Sequence, residues 1–156
     1  MKKNLAVTFG GRTVEHDISI ITANQLMHSF DTGKYNVIPI YIDRDGKWYT
    51  GEKLMDVGYF KKFDPKAKGV KRVFLSCAAD PTLYEYGKKQ RPVCTIDVAI
   101  PAMHGLHGED GTLQGVFELS DIPYSSAGVV GSAVGMDKIV MKAAFKGFGF
   151  PVLDSV

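Results

Sequence analysis

The residue types best suited to chemistry are concentrated in segment 104–111, His-Gly-Leu-His-Gly-Glu-Asp-Gly. Two histidines, two acids and three glycines stand within these eight residues. Imidazoles and carboxylates bind polar ligands and transfer protons, and glycines let a ligand come close to the backbone. An ordinary glycine-rich turn that binds nothing is the alternative, but such turns rarely carry so many titratable groups. The segment therefore predicts a ligand site.

The segments on either side of 104–111 predict how this site is held. Residues 96–103 are almost wholly apolar and indicate a buried strand. Leu113, Val116 and Phe117 have the spacing of one apolar helix face. A strand, a polar loop and a helix in this order place a small ligand at the carboxyl edge of an α/β sheet, where the free N–H groups of the helix favour an anion.

A second predicted loop brings an acidic residue to the same edge. Residues 5–9 indicate a first strand, and Thr13 is the predicted N-cap of a helix that runs to about Phe30. Glu15 then lies at the helix start, where its carboxylate can hold the ammonium group of a ligand; a surface acid favoured by the helix dipole is an equally good interpretation. The Gly10-Gly11 turn lacks the third glycine of the dinucleotide fingerprint and the Gly-Lys-Ser/Thr of a P-loop, so neither nucleotide site is indicated there.

The segments after this helix predict the rest of the sheet. Residues 35–42 indicate a strand that completes a βαβ unit with parallel strands. Pro39 within it predicts a strand end or an edge position. Asp43–Gly46 is a hairpin turn signal, and residues 72–76 and 82–86 predict a peripheral hairpin inside an irregular, partly basic insert.

A helix predicted from about Ser132 carries Lys138. Lys138 is either a solvated lysine on the same face as Lys142 and Lys146 or a contact to a phosphate, for which an ammonium acts as a point charge. Glycines after Lys146 predict the end of the helix.

Metal binding by His104, His107, Glu109 and Asp110 is a further interpretation of the central segment. Histidine ligands are normally held on a rigid helix or strand, and a loop broken by glycines supports them poorly. We therefore expect no metal here. We expect His104 to face the ligand, while the two acids hold the loop by hydrogen bonds or capping.

Composition excludes several classes of partner. The net charge of +2 over 156 residues is too small to indicate nucleic acid or an anionic membrane as partner. No apolar run approaches the ~20 residues that a membrane-spanning helix needs. Cys77 and Cys94 are far apart without a metal-like spacing, which is typical of reduced thiols in a cytoplasmic protein.

Three segments together resemble the D-alanine–D-alanine ligases of the ATP-grasp family, in the order found there. They are residues 10–19 (Gly-Gly-Arg-Thr-Val-Glu-His-Asp-Ile-Ser), 104–115 (His-Gly-Leu-His-Gly-Glu-Asp-Gly-Thr-Leu-Gln-Gly) and 123–138, which ends in Gly-Met-Asp-Lys. The central segment is highly specific for the family. The third departs from the usual Pro-Tyr-Thr-Gly pattern at Ser125–Gly128. The resemblance covers nearly the whole chain, apart from about 51–91.

The resemblance implies an α/β fold, a three-layer Rossmann-like pre-ATP-grasp domain with a mainly parallel sheet. It implies that residues 1–128 form the N-terminal substrate-binding domain, with a peripheral insert at about 43–91. Residues 129–156 would be the linker helix and the start of the central ATP-grasp domain. Members of the family are considerably longer than this chain, so the resemblance covers their N-terminal portion.

The resemblance also implies an ATP-dependent ligase that joins two D-alanines through an acylphosphate, for peptidoglycan synthesis in the cytoplasm. Glu15 would be catalytic by binding the ammonium group of the first D-alanine, and Ser19 would lie near it. His104 would contact this substrate near its carboxylate, and Lys138 would reach the phosphates of ATP. The Mg²⁺ ligands are expected outside this chain, which alone is expected to be inactive and to hold no cofactor tightly. The full-length enzyme is expected to be a homodimer.

Three alternatives stay open at this point. A ligase of the antibiotic-resistance type would join D-alanine to D-serine or D-lactate, and we expect the choice of second substrate to lie outside these residues. A stand-alone Rossmann-like binding module and a metal-dependent hydrolase that uses His104 and His107 are the alternatives from other classes.

Overall fold

The computed structural model describes residues 1–154, which contain seven strands and four α-helices. The strands are β1 Lys3–Gly10, β2 Tyr35–Ile42, β3 Trp48–Thr50, β4 Lys71–Ser76, β5 Asp80–Glu85, β6 Arg91–Thr95 and β7 Val98–Pro101. The helices are α1 His16–Ser29, α2 Thr112–Leu119, α3 Val129–Met136 and α4 Lys138–Gly147, with two 3₁₀-helices at Glu52–Met55 and Val57–Lys62. No helix in this part of the chain has both the length and the apolar character required to cross a membrane.

All seven strands form one sheet in the order β6-β5-β4-β3-β2-β1-β7. The α/β class is confirmed, β1 pairs in parallel with β2 as the βαβ pattern predicts, and β1 also pairs in parallel with β7. The sheet as a whole is mixed rather than mainly parallel, because these two parallel pairings are joined by four antiparallel ones. Three of the antiparallel pairings follow from short connections, which cannot join parallel neighbours. The fourth, between β3 and β4, is joined by the longer segment 51–70 that contains the two 3₁₀-helices.

The parallel strands carry one helix layer on each face. Side chains of a strand alternate between the two faces, and Ala6 of β1 lies in one buried cluster with Leu113 and Phe117 of α2. Phe9 of β1 lies in the other buried cluster, against Ala23 and its neighbours on α1. The predicted three-layer arrangement is therefore present, with the sheet between α1 and α2.

The segment predicted as an insert is an integral part of the sheet. The hairpin expected at 72–76 and 82–86 is confirmed as the antiparallel pair β4–β5, whereas β6, which pairs with β5, was not predicted. Phe60 and Phe63 of this segment pack against the sheet, since their ring centroids are 4.8 and 4.9 Å from that of Tyr41 in β2. Aromatic pairs at this separation stabilise each other beyond their burial, so the insert covers the α1 face of β2.

The expectation that Pro39 marks a strand end or an edge is wrong. Pro39 is buried in the middle of β2, opposite Val7 of β1. Proline is tolerated there because β3 pairs only with Tyr41 and Ile42 and has ended before it reaches Pro39, so no ladder hydrogen bond is lost.

The single helix predicted from about Ser132 is instead two helices, α3 and α4. The chain becomes extended at Asp137, whose carboxylate accepts from the N–H groups of Ile139 and Val140 at 2.9 and 3.0 Å. An aspartate that satisfies the free N–H groups of a new helix begins that helix where it stands. Lys138 is consequently the first residue of α4, and its side chain is exposed.

Candidate functional site

The two loops singled out by the sequence leave the same edge of the sheet. Gly10 at the end of β1 pairs with Ile42 at the end of β2, and Thr8 pairs with Pro101 at the end of β7. Because these strands are parallel, their carboxyl ends lie side by side, which is where ligands bind in open α/β sheets. The loop that carries Glu15 therefore runs beside the loop at 104–111.

Ser19 ties the ends of β1 and β7 to α1. Its hydroxyl accepts from the Gly10 N–H at 2.9 Å and donates to the Ala102 carbonyl at 2.8 Å, and the residue is fully buried. The resemblance places Ser19 near the substrate. In this structure its hydroxyl serves two backbone groups and sets the relative position of the two loops.

Replacing Ser19 with alanine should lower the free energy of unfolding by about 1–3 kcal/mol, because two buried backbone groups lose their partner. Urea or thermal unfolding of the purified chain measures this loss. Ser29→Ala is the matched control, since Ser29 is exposed and contacts only the carbonyl of Leu26 in its own helix. Equal losses for the two variants would contradict the structural role of Ser19.

His16 is a buried site-supporting residue that sequence reasoning missed. Its Nδ1 is 2.7 Å from the Gly11 carbonyl, which can only accept, so Nδ1 carries the proton. Nε2 then accepts from the Tyr41 hydroxyl at 3.0 Å. Burial, followed by the nearby Asp43 carboxylate, raises the pKa of Tyr41 to about 12, so this hydroxyl keeps its proton. Helical spacing could have indicated that His16 is buried, because it lies on the same face of α1 as Ala23 and other apolar residues.

Glu15 stands at the N-terminus of α1 with a free carboxylate. The helix begins at His16, and the prediction of Thr13 as its N-cap is wrong by two positions, since the Thr13 hydroxyl accepts from the N–H of Glu15 itself at 3.2 Å. Glu15 Oε2 lies directly against Gly105, whose φ is +68°. A Cβ at position 105 would clash with this carboxylate oxygen. Within residues 1–154 no basic side chain forms an ion pair with Glu15.

A cavity of about 590 Å³ opens between the two loops. The residues that line it are Arg12, Thr13, Val14, Glu15, Arg44, Gly105, Leu106 and Met136. Glu15 thus shares this lining with two arginines, of which Arg44 is paired with Asp17 at 2.8 Å. Opposite charges in one small cavity suit a zwitterion such as an amino acid.

His104 lies beside this cavity rather than in its wall. Its Nε2 is 3.1 Å from the Thr22 hydroxyl of α1, and the side chain is half-buried. The structure therefore brings Glu15 together with the residue after His104, but turns the imidazole toward the helix. Glu15 therefore lines the cavity, whereas the imidazole of His104 does not.

The loop 104–111 is held by its own acids, as expected. Glu109 accepts from the N–H of Gly105 at 2.6 Å, and Asp110 accepts from the N–H groups of His107 and Thr112 at 2.9 and 3.0 Å. These bonds hold His107 in the left-handed region, with φ +66°, which side chains other than glycine rarely adopt. The loop is thus fixed in shape before any ligand binds.

Asp110 makes the loop sensitive to acid. Burial alone would raise its pKa, but hydrogen bonds from Thr112 and His107 outweigh burial and hold the pKa below the ordinary value of 3.8. The unfolded chain therefore takes up this proton first, so the stabilisation is complete above pH 3.8 and is lost as pH falls through the folded-state pKa. Unfolding measured against pH should show Asp110→Asn less stable than the natural chain near neutrality, with the difference shrinking below pH 3.8. A pH-independent difference would contradict this role.

The remaining points raised by the sequence are the metal-dependent alternative and Lys138. The described residues contain no group of three or more His, Cys, Asp or Glu side chains placed to hold a metal ion, so they offer the metal-dependent hydrolase no ligand set. Lys138 does not line the cavity, but it stands two residues after Met136, which does.

Comparison with known proteins agrees with this geometry. Residues 4–127 match the family model described as D-ala D-ala ligase N-terminus. A D-alanine–D-alanine ligase of Thermosipho melanesiensis is 45% identical over 152 residues, covering 97% of this chain and 41% of that protein. The chain thus spans about 41% of the length of this curated relative.

Solved structures with the same fold include two ligases. The VanG D-Ala:D-Ser ligase of Enterococcus faecalis superposes with a TM-score of 0.84 at 32% identity, covering 99% of this chain and 44% of that one. The D-alanine–D-alanine ligase of Bacillus anthracis in complex with ATP has a TM-score of 0.61 at 27% identity, covering 97% of this chain and 38% of that one. With the family match over most of its length, the chain belongs to the D-alanine–D-alanine ligase family, whose N-terminal part it matches.

Proposed function

We propose that this chain is the part of an ATP-dependent ligase that binds the first of two D-alanines to be joined for peptidoglycan. One observation carries the proposal: the free carboxylate of Glu15 lies against Gly105 in a cavity at the carboxyl edge of the sheet. A carboxylate without an ion-pair partner attracts an ammonium group, and a rigid loop beside it holds the rest of a small amino acid in one orientation.

In this proposal each side chain has a different role in binding the first D-alanine. Glu15 binds its ammonium group. With the Thr22 hydroxyl donating to Nε2 of His104, Nδ1 would carry the proton and donate it in a hydrogen bond to the substrate carboxylate. Ser19 acts indirectly, by fixing the two loops through Gly10 and Ala102. Holding the carboxylate in one orientation favours its reaction to the acylphosphate that the amine of the second D-alanine attacks.

ATP would supply the phosphoryl group for this acylphosphate, as the Bacillus anthracis relative in complex with ATP supports. Lys138 has the charge and the exposure to contact its phosphates. We propose that the Mg²⁺ ligands lie outside the described residues, which hold no suitable cluster. We also propose that the full-length protein is a cytoplasmic homodimer.

The chain is proposed to divide near residue 128. Residues 1–128 would form the substrate-binding domain, and 129–156 would lead into the central ATP-grasp domain. The family match ends at residue 127 and α3 begins at Val129, which supports this boundary. The last two residues, 155 and 156, lie outside the described part of the chain.

The test compares residues 1–156 with the longer ligase in which they stand. We expect D-alanine-dependent phosphate release from ATP by the full-length enzyme and none by residues 1–156 alone. Phosphate release by residues 1–156 alone would contradict the proposal that catalysis needs the rest of the ligase. Phosphate release by the full-length enzyme that does not depend on D-alanine would contradict the proposed function.

A ligase that joins D-alanine to D-serine or D-lactate is the second candidate, favoured by the structural match to the VanG D-Ala:D-Ser ligase. The same assay decides between the two when D-serine and D-lactate are offered as second substrates. We expect D-alanine to be preferred in the second position.

A further inference from the structure

A second cavity, of about 270 Å³, lies at the same edge of the sheet but toward the α2 face. Its inner surface is formed by Ile42, Met103 and Leu113, which are buried members of the α2-side core. Trp48 and Val116, both half-buried, form the sides. The cavity is therefore lined by apolar and polar groups to a similar extent, and Trp48 is the large aromatic side chain in its wall.

Arg12 lies across the mouth of this cavity. Its side chain packs against Gly46, whose Cβ position is 3.4 Å from the Arg12 Cδ, and its guanidinium donates to Nε2 of His107 at 3.3 Å. Within residues 1–154 no carboxylate forms an ion pair with Arg12, whereas Asp45, which also lines the cavity, is paired with Lys47 at 2.8 Å. The mouth thus carries one uncompensated positive charge.

The backbone conformation of His107 is a second feature of this cavity. It is held in the left-handed region, at φ +66°, by the hydrogen bond from its N–H to Asp110. Strained backbone of this kind persists only where the surroundings enforce it, and it is concentrated at ligand sites. Here it directs the imidazole to the cavity mouth beside Arg12, and the proposed D-alanine site makes no use of it.

We propose that this cavity binds a small carboxylate with a planar apolar body, its carboxylate on Arg12 and its body against Trp48. A guanidinium matches a carboxylate through two parallel hydrogen bonds, and the apolar side chains of Trp48, Leu113 and Val116 beside it can pack against the body of the ligand. The inference stands apart from the proposed ligase function, since Trp48 and His107 line this cavity and not that of Glu15, and since Arg12, which lines both, is given no part in binding D-alanine.

Phenylacetate is a suitable probe, and Trp48, the only tryptophan of the chain, reports its binding through intrinsic fluorescence. We expect saturable quenching by phenylacetate, confirmed by saturation-transfer NMR, and at least about tenfold weaker binding of the neutral phenylacetamide. Arg12→Gln should weaken phenylacetate binding by a similar factor. Val116→Phe, which fills the cavity, should abolish it.

Arg44→Gln is the matched control, because it removes the same charge from an exposed arginine that lines only the Glu15 cavity. It should leave phenylacetate binding unchanged. Three results would overturn the proposal: no saturable response to phenylacetate, equal binding of phenylacetamide, or equal weakening by Arg44→Gln and Arg12→Gln. A circular dichroism spectrum identical to that of the natural chain shows that each variant is folded.

Discussion

Replacing Glu15 with glutamine in the full-length ligase is expected to lower kcat/KM for the first D-alanine on the order of a hundredfold. Glutamine keeps the size of the side chain but removes the charge that faces the ammonium group. Glu15 is exposed in this chain, and we expect the rest of the full-length ligase to close over it. Losing one member of a charge pair in such a closed site costs about 2–5 kcal/mol, and about 2.7 kcal/mol corresponds to that factor. Initial rates at varied D-alanine concentration, fitted for the two substrate sites separately, measure the effect.

Glu52→Gln is the control for this variant, because Glu52 is an exposed acid in the first 3₁₀-helix and lies outside the Glu15 cavity. It should leave both substrate sites unchanged. The unfolding temperature of Glu15→Gln should equal that of the natural protein, since the carboxylate has no ion-pair partner to lose. Unaltered kinetics at the first site in Glu15→Gln would reject its assigned role.

Gly105→Ala is expected to disturb the position of the Glu15 carboxylate directly. An alanine at φ +68° is strained, and its Cβ would displace the carboxylate of Glu15. We expect a loss of about 1 kcal/mol in the free energy of unfolding and up to about a hundredfold in kcat/KM for the first D-alanine, because small misplacements of a positioning group are that costly. Unfolding curves and the kinetic assay measure the two effects separately.

Gly115→Ala is the matched control for this second variant. Gly115 lies inside α2, and a Cβ there meets no atom within 4 Å. Alanine favours a helix over glycine by about 1 kcal/mol, so this variant should be at least as stable as the natural chain and fully active. A Gly105→Ala enzyme that behaves like Gly115→Ala would show that the carboxylate of Glu15 need not lie against the loop.

The local sequence pattern predicted the two loops of the site and the strands that precede them. The glycine turn after β1, the polar loop after β7 and the parallel pairing of both strands follow from hydrophobic periodicity and from the rules of βαβ connection. Once the strands are parallel and adjacent, Glu15 and segment 104–111 have to leave the sheet at one edge. The loop-holding role of Glu109 and Asp110 was equally accessible, because both act on residues within four positions of themselves.

Features that depend on contacts between residues far apart in the chain could not be predicted from the local sequence pattern. The ring of His104 turns toward Thr22, which is 82 positions away in the chain. His16 likewise depends on Tyr41, a partner on another strand. The mixed sheet arises because the insert strands found partners in the main sheet, and Pro39 is tolerated only because β3 is short. Each of these outcomes is tertiary, and no local propensity encodes it.

A crystal structure of the full-length ligase with D-alanine bound tests the central claim most directly. We predict the ammonium nitrogen of the first D-alanine within about 3 Å of a carboxylate oxygen of Glu15, with its body in the cavity beside Gly105. A D-alanine bound at another place, with the Glu15 carboxylate in solvent, would contradict the account.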